Sequence, residues 1–392
     1  MTDDLPPYAG VPAVVPRVHA DLEPLLGWLR GGEGAPERRD FPAGTALPDG
    51  RLDLCKQALG PEGAAAVAEA LRQAPATGAV RHLLLGTDGL GDAGAAAVAE
   101  RTQGTGIETL YLGCNGITAG GACRIADNLR ASPQAVTGVW LKRNPLGGGA
   151  GEAGAGLVEA ARSLRTLDLV QTGLEPAGLA VLADALVVAA RSGRPVERLF
   201  VGGNALGTAG AACLTTLLTA GAVAELYVSA ARLGDAGAVL LAEALARAPY
   251  GRLTRLSVAS NGIGPAACAR LVAAAAAAGV ELLDLGRVKA ARVLDAADNR
   301  VDTEAAAEMA AALGSSPHRL THLVLAHTGM RSREAHRLLD AASAAATATR
   351  YVLGKGVATS VRRRLDALSA HLPPPAVPTD VAAVRSVHRT PR

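Results

Sequence analysis

The chain has 392 residues, a formal net charge of +3, 49% hydrophobic residues and only 2% aromatic ones. The near-neutral balance speaks against a dedicated nucleic-acid binder, which carries a strong basic excess. So few rings speak against an ordinary globular core, which relies on large side chains for buried area. Small residues instead suit thin, closely packed layers. Lysine occurs only as Lys56, Lys142, Lys289 and Lys355, while arginine, alanine and glycine abound, a bias expected of a high-GC bacterial coding sequence.

In chain order, the N-terminus opens on Asp3 and Asp4, where a secretory leader would be basic. No apolar run reaches the ~18 residues of a spanning helix. The five cysteines, Cys55, Cys114, Cys123, Cys213 and Cys268, have no paired spacing and read as free thiols of a reducing compartment. These features predict a cytoplasmic protein without a membrane partner. Residues 1–49 are Pro/Gly-rich and contain one predicted helix, His19 to Arg30, whose Leu25, Leu26, Trp28 and Leu29 suit it to cap the apolar end of a repeat stack.

From Leu52 onward the sequence repeats itself. Residues 110–117 read LYLGCNGI, 139–146 VWLKRNPL, 199–206 LFVGGNAL and 256–263 LSVASNGI. Weaker copies start at Leu52, Leu83, Leu167, Leu226, Leu283, Leu323 and Tyr351, giving eleven starts separated by 31, 27, 29, 28, 32, 27, 30, 27, 40 and 28 residues. A further apolar column, Val80 to Leu320, lies three residues ahead of the starts. Leu-x-Leu has period two, so both leucines face one side and the middle residue the other. Such a strand buries its leucines only by stacking on copies of itself. Asn115, Asn144, Asn204, Asn261 and Asn299 form a column where the chain turns off each strand, and a stacked amide satisfies backbone groups there. Gln57 and Asp88 can replace it in part, Thr172 and Thr328 less well, and Ala231 not at all, so looser turns are expected at these weaker replacements.

Each unit then turns helical, with strong helix formers over 64–74, 95–101, 179–190, 239–248 and 303–313, and with Pro75, Pro133, Pro249 and Pro317 as stops. Strands stack at ~4.8 Å and helices need ~8–10 Å, so the stack is expected to curve. The fold class predicted is an α/β solenoid, a horseshoe with parallel strands on the concave face and helices on the convex face. The domain reading is an N-terminal segment 1–49, repeats 50–355, a capping helix 356–372 and a Pro-rich disordered tail 373–392. The step of 40 implies an insertion near 287–298, provided Leu283 lies on the strand; a rival register puts the strand at Leu294 to Ala296.

These repeats resemble the ribonuclease-inhibitor-like class of leucine-rich repeats, which includes the Ran GTPase-activating protein, over roughly residues 50 to 355. The resemblance implies the horseshoe and a binding role, with regulation of a nucleotide-binding protein as one alternative and an enzyme with an unrecognised site as another. Few cysteines and no strong acidity depart from a ribonuclease inhibitor, so that activity is not implied.

No motif carries catalysis, a cofactor or a metal. GAGEAG at 149–154 matches a dinucleotide fingerprint but does not directly follow a strand. Gly354, Lys355 and Gly356 lack the P-loop spacing. His322 and His327 lack further ligands. Cys123, Cys213 and Cys268 read as small core residues, and Arg362 to Arg364 as a solvated cap. The candidate site is the outward column of the strands. Tyr111, Trp140, Phe200 and Tyr227 occupy it in four of five consecutive repeats and Asp168 in the fifth, out of nine aromatics in the chain. With Lys142, Arg143 and Arg198 beside it, this column is expected to be a solvent-exposed hot spot for a protein partner, on a chain that is monomeric alone.

Overall fold

A computed structural model describes residues 13–74, 79–131 and 135–387, in two compact units: 1–174 with 377–392, and 175–376. The predicted stops Pro75 and Pro133 lie outside the described residues. Both units are α/β repeat stacks, one layer of short strands and one of helices.

The first unit begins with a 3-10 turn, His19–Leu22, leading into α1 (Glu23–Gly31), which buries Leu25, Leu26, Trp28 and Leu29. A hairpin follows, β1 (Arg39–Phe41) and β2 (Gly44–Ala46), and β2 pairs antiparallel with β3 (Arg51–Asp53). Phe41 packs on Trp28 at 5.3 Å between ring centroids. This hairpin is absent from the sequence reading, because three-residue strands leave no alternation to detect. The repeats continue as α2 (Gly60–Gln73), β4 (His82–Leu84), α3 (Gly91–Arg101), β5 (Thr109–Tyr111), α4 (Ala119–Ala131), β6 (Gly138–Trp140), α5 (Ala150–Ala160) and β7 (Thr166–Asp168). From β3 on all pairing is parallel and the helices pack in succession.

The second unit runs α6 (Pro176–Arg191), β8 (Arg198–Phe200), α7 (Gly207–Thr219), β9 (Glu225–Tyr227), α8 (Gly234–Leu245), β10 (Arg255–Ser257) and α9 (Pro265–Ala277). It ends with β11 (Leu282–Asp284), α10 (Thr303–Ser315), β12 (His322–Val324), α11 (Ser332–Ala342), β13 (Arg350–Val352) and α12 (Thr359–Leu368). Its strands are parallel throughout.

Each of the eleven repeat starts is the central residue of a strand. In the first unit Leu52, Leu83, Leu110, Val139 and Leu167 stand in register, and in the second Leu199, Leu226, Leu256, Leu283, Leu323 and Tyr351 do. Start residues and the residues two further on form the core: Leu110, Leu112, Leu167 and Leu169 are each 0% exposed. Strands stop after three residues because the chain turns through a left-handed residue just ahead of the ladder position, for example Cys114 at φ 60° and Ser260 at φ 53°.

The ladder amides join successive turns. Asn144 Oδ1 accepts from Asn115 N at 2.8 Å, and its Nδ2 donates to Leu112 O and Leu141 O, both at 2.9 Å. Asn261 and Asn299 repeat the pattern in the second unit. Thr172 and Thr328 still reach the carbonyl three residues back, Leu169 O and Leu325 O, each at 2.8 Å. Ala231 offers no side-chain donor, but Asn261 Oδ1 accepts its N–H at 2.8 Å.

With Leu283 on β11 and Asn299 in the ladder, the rival register is set aside. The extra residues leave as a loop whose ends are joined by an Arg287–Asp298 ion pair of 3.3 Å. Arg287, Lys289 and Arg292 are exposed, while Ala291 is buried.

Up to residue 387 the chain after Leu372 departs from its predicted disorder, and residues 388–392 lie outside the described residues. Through residue 387 it lies against outward-facing strand residues, with one helical turn, α13 (Thr379–Ala383), in the first unit. Prolines bar it from a regular helix or a sheet ladder, yet they also leave few N–H groups in need of partners. Its carbonyls accept from arginines: in the second unit Leu372 O from Arg350 at 2.7 Å and Ala376 O from Arg255 at 2.6 Å, in the first Arg385 O from Arg51 at 2.8 Å.

Candidate functional site

Period-two alternation turns the last residue of each strand, and the one two before it, away from the core leucines. In the first unit this outward face holds Tyr111 and Trp140, with centroids 6.5 Å apart and planes tilted by 44°. Lys142 Nζ lies 5.1 Å from the Tyr111 centroid. Burial works to lower the Lys142 pKa, and the charges of Tyr111 and Asp168 outweigh it, so the ammonium is held. Burial pushes Asp168 up to about 6, against the pull of Lys142 and of Val170 N, which donates to its carboxylate at 2.8 Å.

The second unit holds a separate group. Phe200 and Tyr227 stack at 4.2 Å with planes 5° apart. Tyr227 donates to Glu225 Oε2 at 2.6 Å, and Glu225 Oε1 lies 3.4 Å from Arg198 and 3.9 Å from Arg255. Burial, then the neighbouring Glu225, drives the Tyr227 pKa upward. Further along, Ser257 donates to Asp284 at 2.9 Å.

Two sequence expectations are corrected here. The aromatic column is not a solvent-exposed ladder: Trp140 is 4% and Asp168 3% exposed, while Tyr111, Phe200 and Tyr227 are half-buried. Parallel neighbours stand ~4.8 Å apart, so rings in one column cover one another. Arg143 is not on the face at all. It is the left-handed turn residue of its repeat, at φ 57°, exposed, with its N–H given to Val170 O. Glu225, Arg255, Arg51 and Thr166 were missed as face residues. The available signal was their position in the outward columns, where Arg51, Arg198, Arg255 and Arg350 are each the first residue of a strand.

The remaining motifs settle into structural roles. Gly149 ends a 3-10 turn and the other fingerprint glycines lie in α5; a Cβ on Gly149 would meet Ala119 Cβ at 2.6 Å, so the glycine serves helix packing. His322 is buried beside Thr321, whereas His327 is exposed in a turn at φ 67°. Among the described residues no group of three His, Cys, Asp or Glu is arranged to hold a metal. Cys268 is a buried core residue whose thiol burial pushes up to about 12, but Cys123 is exposed and Cys213 half-buried, not core. Among the described residues no helix is long and apolar enough to cross a membrane.

No protein-family model and no curated protein matches the chain. Among solved structures it is similar to the leucine-rich repeat-containing protein LegL7 from Legionella pneumophila, at 17% identity over 79% of this chain and 96% of that one, with a TM-score of 0.48.

Proposed function

We propose that this chain is a non-catalytic recognition module that takes a segment of a protein partner on the outward face of its strands. One observation carries the reading: that face already binds polypeptide. Arg51, Arg255 and Arg350 each donate to a main-chain carbonyl of the chain's own C-terminal segment. Arginine offers five fixed donors without an acceptor, which suits backbone carbonyls whatever the partner's side chains. The aromatics supply buried area beside these grips. Carboxylates of the face serve fixed partners, Glu225 the hydroxyl of Tyr227 and Asp284 that of Ser257, and are not poised against a nucleophile. We take the protein to work as a monomer in a reducing compartment, where its five free thiols persist.

The test is affinity capture with identification of the partner by mass spectrometry, then calorimetric titration of that partner. Trp140→Ala and Tyr227→Ala should each weaken binding by about 1–2 kcal/mol, and Val324→Ala, in the same column, by much less. Variants that keep their melting temperature and bind like the wild type would remove the strand face from consideration.

A further inference from the structure

We propose that residues 372–387 are a built-in occupant of the strand face, and that the outside partner is an extended segment of the same chemistry, rich in proline and alanine with a carboxylate, which binds by displacing them. This rests on the strand face being the binding surface.

The path of the segment is the first support. In the second unit its attachments step from Arg350 on β13, to Leu372, through His322 on β12, beside Pro373, to Arg255 on β10, at Ala376. Three strand spacings of ~4.8 Å make ~14 Å, and four residues of extended chain span about the same. This stretch therefore crosses the strands in an extended course of the kind three consecutive prolines favour. In the first unit the same direction holds, from Asp380 on Thr166 of β7 to Arg385, Ser386 and Val387 on Arg51 and Asp53 of β3.

The second support is the polarity of what lies beneath. Thr166 and Asp53 are both 0% exposed although they point away from the core. A buried hydroxyl or carboxylate needs partners, and here the segment adds to those within the repeats, such as Cys55 N on Asp53. Thr166 Oγ1 donates to the Asp380 carboxylate, and the Asp53 carboxylate accepts from Val387 N and from Ser386 Oγ at 3.3 Å.

The third support is how lightly the segment is held. Pro373 to Val377 are all exposed, and among residues 373–387 only Ala383 is buried. A permanent structural element would bury large side chains. This one is held by carbonyls, one carboxylate, one hydroxyl, one main-chain N–H and one methyl, groups that a competing segment can reproduce.

The experiment uses the full chain and a fluorescein-labelled peptide of residues 373–387 as probe. A released variant, Asp380→Lys with Ala383→Arg, leaves the strand face intact. By anisotropy the peptide should bind this variant at least tenfold more tightly than the wild type, and adding Arg255→Ala should reverse that gain. Amide exchange at Ala382 and Val387 should be slow in the wild type and fast in the released variant. Equal peptide binding to wild type and released variant overturns the proposal. So does a failure of the peptide to bind the released variant once those amides exchange freely. The partner identified by capture separates the two readings. If it binds wild type and released variant equally but loses affinity with Trp140→Ala, the face stands and the built-in occupant falls. If it ignores all of these changes, the face itself is wrong.

Discussion

Asp88 occupies the place that other repeats give to the ladder asparagine. Its Oδ1 accepts from Gln57 N at 2.7 Å, as an asparagine oxygen would. Its Oδ2 takes the role of the amide nitrogen, which in Asn115 donates to Leu85 O and Leu112 O, and it has no hydrogen-bond partner. A carboxylate cannot donate, whereas a carboxylic acid can. Burial pushes Asp88 up to about 8, so the acid is neutral in most neutral buffers. The sequence identifies the ladder position but not the protonation state, which depends on complete burial. Because the folded chain holds this proton more tightly than the unfolded one, its contribution is full below about pH 4 and is lost as pH rises through about 8. Asp168, up to about 6, follows the same sign at lower pH. Between pH 6 and pH 9, then, urea unfolding of the wild type should weaken, and Asp88→Asn should flatten that slope. At pH 9 the variant should be the more stable by on the order of 2 kcal/mol, the scale of one buried polar group left without a partner. Parallel pH slopes for the two proteins would assign Asp88 its proton wrongly.

Each element owes its shape to a few backbone positions that a hydrophobic pattern does not reveal. The residue after the ladder position is left-handed in most repeats and is usually glycine, as at Gly89, Gly116, Gly173, Gly262 and Gly329 with φ between 68° and 79°. In the seventh strand–helix repeat of the eleven, Arg232 does the same at φ 58°, exposed to solvent. An L-residue pays about 1–2 kcal/mol for that conformation, partly offset by glycine's greater freedom when unfolded. Arg232→Gly should therefore stabilise the protein by about 0.5–1 kcal/mol, whereas Ala212→Gly on the exposed side of α7 should cost about 1 kcal/mol. Thermal melts that fail to move in opposite directions would show that the turn is not strained. The same limit explains the missed β1–β2 hairpin and the misread tail. In both, three-residue strands and proline-rich segments are ordered by what they dock against and not by their own period.

Across the whole molecule, the part legible in the sequence is the part that recurs every 27 to 32 residues. All eleven starts are strand centres, and the loop near 287–298 declares itself by a step of 40. The outward position of Tyr111 and Trp140 in the first unit, and of Phe200 and Tyr227 in the second, was legible in the sequence, but their burial was not. Also illegible were the pairs of Thr166 with Asp380 and Asp53 with Val387, which are 214 and 334 residues apart and belong to no repeat. The core, by contrast, is set entirely by neighbours. Leu112 of the repeat containing β5 and Leu169 of the repeat containing β7 are both 0% exposed, and Leu112 belongs to a repeat flanked on both sides by others of the first unit. A stack of this kind gains stability from each interface between successive units, so a cavity in one repeat weakens both of its interfaces and cannot be relieved by a rigid neighbour. Leu112→Ala and Leu169→Ala should each cost about 2–5 kcal/mol in urea unfolding, the range for buried leucines that leave a cavity. The loss should appear first as faster amide exchange in the strands flanking the altered repeat. For Leu112→Ala these are β4 and β6, where Leu83 and Val139 line the same core. An unchanged unfolding midpoint for both variants would contradict the inward register on which the outward face depends.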